Sequence, residues 1–173
     1  MKRIVTATVM NQSGVLNRIT GTLAKRRYNI ESITIGKSEN PGISKMTVVV
    51  NVEDDAQIEQ LMKQLNKQID VIKVADITDQ AIVARELALI KVLGHAQTRS
   101  EIREIIEPFR ASILDVSRES MTIQVTGYTD KIDAIIELLR PYGIKELSRT
   151  GLTAFLRGSQ KPVTNLTAYS LLK

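Results

Sequence analysis

One pattern, strand-helix-strand-strand-helix-strand, can be read twice along this chain, over Arg3–Ile77 and again over Arg85–Leu147. No other feature restricts the fold as much. Each copy asks for an antiparallel sheet with two helices laid on one face. Units of roughly 75 residues lie near the size at which a single core is marginal, so each should pack against something more.

The first copy opens with Ile4–Met10, where Val5, Ala7 and Val9 share a face. Ser13 reads as the N-cap of a helix near Val15–Arg27, with Leu16, Ile19 and Leu23 on its apolar stripe. A strand from Ile30 to about Lys37, the turn Glu39-Asn-Pro-Gly42 and the β-prone run Ile43–Val52 follow. Ile58, Leu61, Met62 and Leu65 give the second helix its spacing, behind the acidic start Glu53-Asp-Asp55, and Val71–Asp76 closes the copy. The second copy opens at Glu86–Leu93. Thr98-x-x-Glu101 has the form of a capping box, and a hairpin crosses Arg118-Glu-Ser120. Ile132, Ile135, Ile136 and Leu139 mark its last helix, and Ile144–Ser148 its last strand. The expected fold is α+β, with two ferredoxin-like βαββαβ domains at 1–78 and 85–158, a linker at 79–84 and a C-terminal tail at 159–173. A sheet with helices on one face leaves the other bare, so a homodimer is expected, its units paired side by side or face to face, with edge-to-edge joining of the sheets the favoured form.

Composition excludes several classes. The chain has no cysteine and so no thiolate site. Its one histidine, His95, stands without clustered carboxylates and makes a weak metal ligand or general base. A nucleophilic triad would have to use it, although nothing near it marks a nucleophile elbow. Glu53-Asp-Asp55 reads as charge at a helix start rather than a Mg²⁺ site. The net charge of +5 is spread evenly, with 11 basic and 8 acidic residues through Thr78 and 13 and 11 beyond it. Nucleic-acid binders gather such charge on a stripe, often with aromatic platforms, so no nucleic-acid partner is expected. No apolar run approaches a membrane span and no signal-like segment opens the chain, which implies a cytoplasmic protein without a membrane partner.

The sharpest local feature is Asn11-Gln-Ser-Gly-Val-Leu16, between the first strand and the first helix. A first helical turn leaves amides without partners and favours an anion. Gly14 lets a ligand approach the backbone, and the Asn11 amide can meet both halves of a zwitterion. Asn29 is expected at the same end of the sheet, with Val15, Leu16 or Ile30 available to an aliphatic tail. An amino acid would fit such a set, and an ordinary capped turn explains the same residues. The glycine-rich phosphate fingerprints are missing.

Val9-Met-Asn-Gln-Ser-Gly-Val-Leu-Asn-Arg-Ile19 and Arg26-Arg-Tyr-Asn-Ile-Glu-Ser-Ile33 closely resemble the ACT domain of the acetohydroxyacid (acetolactate) synthase small subunit. Gln64–Val71, Arg85–Lys91, Ile106–Ala111 and Lys145–Gly151 agree with the same family, so the likeness runs over about residues 2–158. The resemblance implies a regulatory subunit without catalysis of its own. It implies a homodimer bound to a large catalytic subunit that carries thiamine diphosphate, Mg²⁺ and FAD, with no cofactor on this chain. It also implies feedback inhibition by a branched-chain amino acid, valine first, in the synthesis of valine, leucine and isoleucine. The matching effector positions are Asn11, Gly14, Val15 and Leu16 on one chain, with Asn29 and Ile30 from its partner. Two alternatives remain from other classes: a free-standing amino-acid sensor or transcriptional regulator, and a structural dimer that has lost its effector.

Overall fold

The computed structural model describes residues 1–158, so the expected tail at 159–173 lies outside the described residues. The chain divides into two compact units, one of Met1–Val83 with the described residues 153–158, the other of Ala84–Leu152. Both have the α+β character expected, built on repeated β-α-β-β units.

The first unit runs β1 (Lys2–Met10), α1 (Val15–Lys25), β2 (Asn29–Lys37), β3 (Ile43–Asn51), α2 (Asp55–Asn66) and β4 (Val71–Asp76). Its sheet has the order β2-β3-β1-β4, so β2 and β4 are the edges. Alternation in β1 turns Val5, Ala7 and Val9 inward, each 2% exposed or less, against Met46, Val48 and Val50 of β3. Ile19 and Leu23 of α1 and Ile58, Leu61 and Leu65 of α2 close this core from one side. The apolar stripe of α1 is Val15, Ile19 and Leu23; Leu16, placed on it by spacing, is 42% exposed. The acidic run before α2 caps that helix. Asp54 accepts the Gln57 N–H at 2.8 Å, and the Gln57 side chain accepts the Glu53 N–H at 3.1 Å.

Two features of this sheet escape simple alternation. The register of β2 against β3 slips between Ile30 and Ser32, so Ile30 lies opposite Val50 and Ile33 opposite Val48. The bulge at Glu31 therefore gives Ile30 and Ile33, three residues apart, the same core-packed role. The face away from the helices is partly covered by a ninth strand, β9 (Thr153–Leu156), where the Ala154 N–H reaches the Thr47 hydroxyl at 3.3 Å. Thr47 and Val49, which face away from the helices, are 4% and 2% exposed.

The second unit is formed by β5 (Ile82–Leu93), α3 (Arg99–Ile106), β6 (Ser112–Val116), β7 (Ser120–Gly127), α4 (Thr129–Leu139), a 3-10 turn at Arg140–Tyr142, and β8 (Ile144–Arg149). The strand order β6-β7-β5-β8 repeats that of the first sheet. Ala88, Ile90 and Val92 of β5 pack with Ile102, Met121, Ile123, Ile132 and Leu139. Glu86, at the buried face of β5, is held by Arg149 of β8, which also bonds Asp133 of α4 at 2.7 Å. The capping box expected at Thr98 does not form. Thr98 has a helical backbone, φ −97 and ψ −9, and its hydroxyl donates to the His95 carbonyl at 3.2 Å. The extended conformation that aims a cap at the helix amides is absent there. Of the residues read as a linker, Ile82–Ala84 are already strand, because the buried alternation of β5 begins at Ala84.

Candidate functional site

Between β1 and α1 the chain turns at Asn11–Gly14. The Asn11 N–H donates to the Gly42 carbonyl and the Met10 N–H to the Asp70 carbonyl, each at 2.8 Å, so both neighbouring turns pin the loop. Ser13 is not the cap. Gly14 occupies that position with φ +84, a left-handed conformation that a side chain disfavours, and no side chain caps the helix. The first intrahelical bond runs from the Arg18 N–H to the Gly14 carbonyl at 3.0 Å. Among the described residues the Leu16 and Asn17 amides have no acceptor, which leaves this eleven-residue helix with a bare positive end.

Arg18 is a residue that pattern reading passed over. Its Nε and Nη2 both contact the Asp70 Oδ2, at 2.7 and 2.6 Å. The Asp70 side chain is 12% exposed and that of Arg18 46%. The remaining Nη1 stands 2.9 Å from where a Cβ on Gly14 would be. A fixed guanidinium thus borders the one position of the loop that lacks a side chain. Arg18 follows Gly14 by one helical turn, which is the only sequence signal that could have pointed to it.

Of the other predicted residues, Asn11 is exposed, and Val15 is 3% exposed and belongs to the core, so only its backbone faces the loop. Leu16 presents its side chain outward; Ile30 is half-buried and packs on the core. Asn29 is exposed, but it is not at the Asn11 end of the sheet. The register pairs Asn29 with Asn51 and Asn51 with Lys2, whereas Met10 pairs with Ile43. Because β2 returns parallel to β1 after the helical crossover, its first residue lies beside the first residue of β1, roughly 27 Å along the strands from Asn11. Within one chain these two asparagines cannot share a ligand.

Among the described residues no group of three or more His, Cys, Asp or Glu could hold a metal ion, and no helix is long and apolar enough to cross a membrane. The loop of the second unit differs in kind. Gly94 is buried and a Cβ there would meet Met121 at 2.8 Å, so it is a packing glycine and not an open one.

Residues 6–73 match the family model described as the small-subunit-like ACT domain of acetohydroxyacid synthase, and residues 85–158 match the one described as the small subunit of acetolactate synthase. The chain is 62% identical over 172 residues to the acetolactate synthase small subunit of Bacillus subtilis, covering 99% of this chain and 100% of that one. The chain belongs to the acetolactate synthase small-subunit family. The Aquifex aeolicus small subunit is 50% identical over 157 residues, covering 90% of this chain and 81% of that one. The crystal structure of the Thermotoga maritima small subunit superposes with a TM-score of 0.85 at 39% identity, over 92% of this chain and 99% of that one. The chain is therefore a non-catalytic regulatory subunit in branched-chain amino-acid biosynthesis, and the catalytic subunit of the family is a thiamine diphosphate-dependent acetolactate synthase.

Proposed function

We propose that this small subunit homodimerises, binds a large catalytic subunit, raises its activity and transmits feedback inhibition by a branched-chain amino acid, with valine as the favoured effector. The observation that carries the reading is the uncapped end of α1 at left-handed Gly14 beside Arg18. Amides there meet a carboxylate, the Asn11 side chain meets the ammonium group, and exposed Leu16 meets a short aliphatic tail.

The separation of Asn11 from Asn29 supports a site shared between two chains. Strand β2 is an edge. If two copies of β2 pair antiparallel about an axis near Ile33, the partner's strand is reversed, and its Asn29 comes to Lys37. Lys37 pairs with Ser44, next to the Ile43 that pairs with Met10, so this is the Asn11 end. Asn29 and Ile30 of one copy then face Asn11, Gly14, Val15 and Leu16 of the other, across eight continuous strands. An effector bridging the chains tightens the dimer, and the same free energy is available to alter what the large subunit sees. The second unit, with its packed Gly94 loop, binds no amino acid in this reading and serves dimerisation or docking. Thiamine diphosphate, Mg²⁺ and FAD stay with the large subunit, and the assembly works in the cytoplasm.

The test is copurification of this chain with its cognate large subunit, followed by acetolactate formation with and without valine. A stable complex whose activity rises and then falls with valine is expected. Stimulation without any response to valine, leucine or isoleucine would remove the effector half of the proposal, and no complex would remove the rest.

A further inference from the structure

On the face of the first sheet away from its helices lies a cleft of about 350 Å³ that the effector reading does not use. Its floor is two rows crossing β3, β1 and β4. In one row Thr8 stands between its register partners Lys45 and Lys73; in the other Thr6 stands between Thr47 and Ala75. Residues Thr153–Leu156 of β9 line it as well, with Ile77. The lining thus carries two lysines at the Thr8 row and, elsewhere, the apolar residues Ala75, Ile77, Phe155 and Leu156.

Three details give this cleft a ligand chemistry. Strand spacing puts the backbones of the two lysines roughly 10 Å apart on one face, and neither forms an ion pair among the described residues. The Lys45 ammonium donates to the Thr8 hydroxyl oxygen at 2.9 Å, which leaves the Thr8 proton without an acceptor among the described residues. A free O–H between two cations offers an anion three donors in one row. Among the described residues Glu39 is the one acidic side chain of the lining, against two lysines, so these three groups sum to one positive charge. That balance suits a monoanion better than a phosphate dianion. The volume falls at the small end of ligand sites.

We propose that this cleft is a second small-molecule site, which takes a monocarboxylate with a compact apolar body. It is separate from the Asn11–Leu16 loop in lining and in the element that closes it, β9. The probe is isobutyrate, with uncharged isobutyramide as its control, titrated into the full-length protein saturated with valine and followed by amide chemical shifts. Saturable shifts at Thr6, Thr8, Thr47 and Ala154 with isobutyrate and none with isobutyramide are expected. The exposed double substitution Lys45→Gln with Lys73→Gln should weaken binding at least ten-fold, and Thr8→Val should weaken it several-fold, with the dispersion of the spectrum unchanged. Three results would overturn the proposal: no saturable shift at these residues, equal binding of the amide, or unchanged affinity in the folded double variant. Shifts confined to Asn11–Leu16 would count against it equally, since they report the other site.

Discussion

Replacing Gly14 separates the backbone of the loop from its electrostatics. Both Gly14→Ala and Gly14→Asp place a Cβ at φ +84, which costs an L-residue about 1–2 kcal/mol, with Asp at the lower end. The new Cβ also stands 2.9 Å from the Arg18 Nη1, so the guanidinium must shift from its two-pronged contact with Asp70. With the Arg18 side chain 46% exposed, that contact adds no more than about 1 kcal/mol. Each variant should therefore lose about 1–3 kcal/mol of stability, read as a lowered denaturation midpoint at constant m. Ligand binding should separate them. The Asp carboxylate lies about 4 Å from where an effector carboxylate meets the helix amides, a repulsion of about 4 kcal/mol at an effective dielectric of 20. Pairing of the new carboxylate with Arg18 and exposure to water should halve this, leaving about 2 kcal/mol, or roughly 30-fold in Kd. Calorimetry with valine should show Gly14→Asp at least ten-fold weaker than Gly14→Ala, while basal stimulation of the large subunit persists in both. Equal valine affinity in two folded variants would refute the placement of the carboxylate at this loop.

Further consequences follow from the packing. Arg18→Leu leaves the mostly buried Asp70 carboxylate without its partner and should cost about 1–3 kcal/mol, more than the loss of an exposed ion pair, by chemical denaturation. Ala154→Asp sets a charge against the covered sheet face and should destabilise by about 1–3 kcal/mol, whereas Phe155→Asp, at a residue 66% exposed, should change stability by less than about 0.5 kcal/mol. The Lys2 ammonium, with help from the Asn51 amide, holds the Glu31 carboxyl below its usual range. A depressed carboxylate contributes stability above its unfolded range and loses it as the pH falls through the folded value. Glu31→Gln should thus flatten the acid side of the stability profile below about pH 5, by less than about 1 kcal/mol because both side chains are more than a third exposed. Light scattering at micromolar concentration should show a dimer that valine tightens, and a monomer under both conditions would exclude the shared site.

Much of this protein was legible in its residues because local chemistry decides local structure. Periods of 2 and near 3.6 in Val5/Ala7/Val9, Ile58/Leu61/Leu65 and Ile132/Ile135/Leu139 identify inward faces wherever the element is regular. The loop Asn11–Leu16 stood out for a similar reason: small and polar residues before an amphipathic helix mark an accessible helix end in any fold. What the sequence could not determine rests on pairings between distant segments. One bulge at Glu31 changes which isoleucines of β2 meet the core, and nothing near Glu31 announces it. The contact of Arg18 with Asp70 spans 52 residues, and the cover of Thr47 by Ala154 spans 107. The placement of Asn29 far from Asn11 follows from strand direction, which a helical crossover sets for the whole of β2 at once. Side-chain periodicity reports only which way each residue faces along its own element, whereas register and strand order are properties of two segments together, chosen by the packing of the assembled sheet.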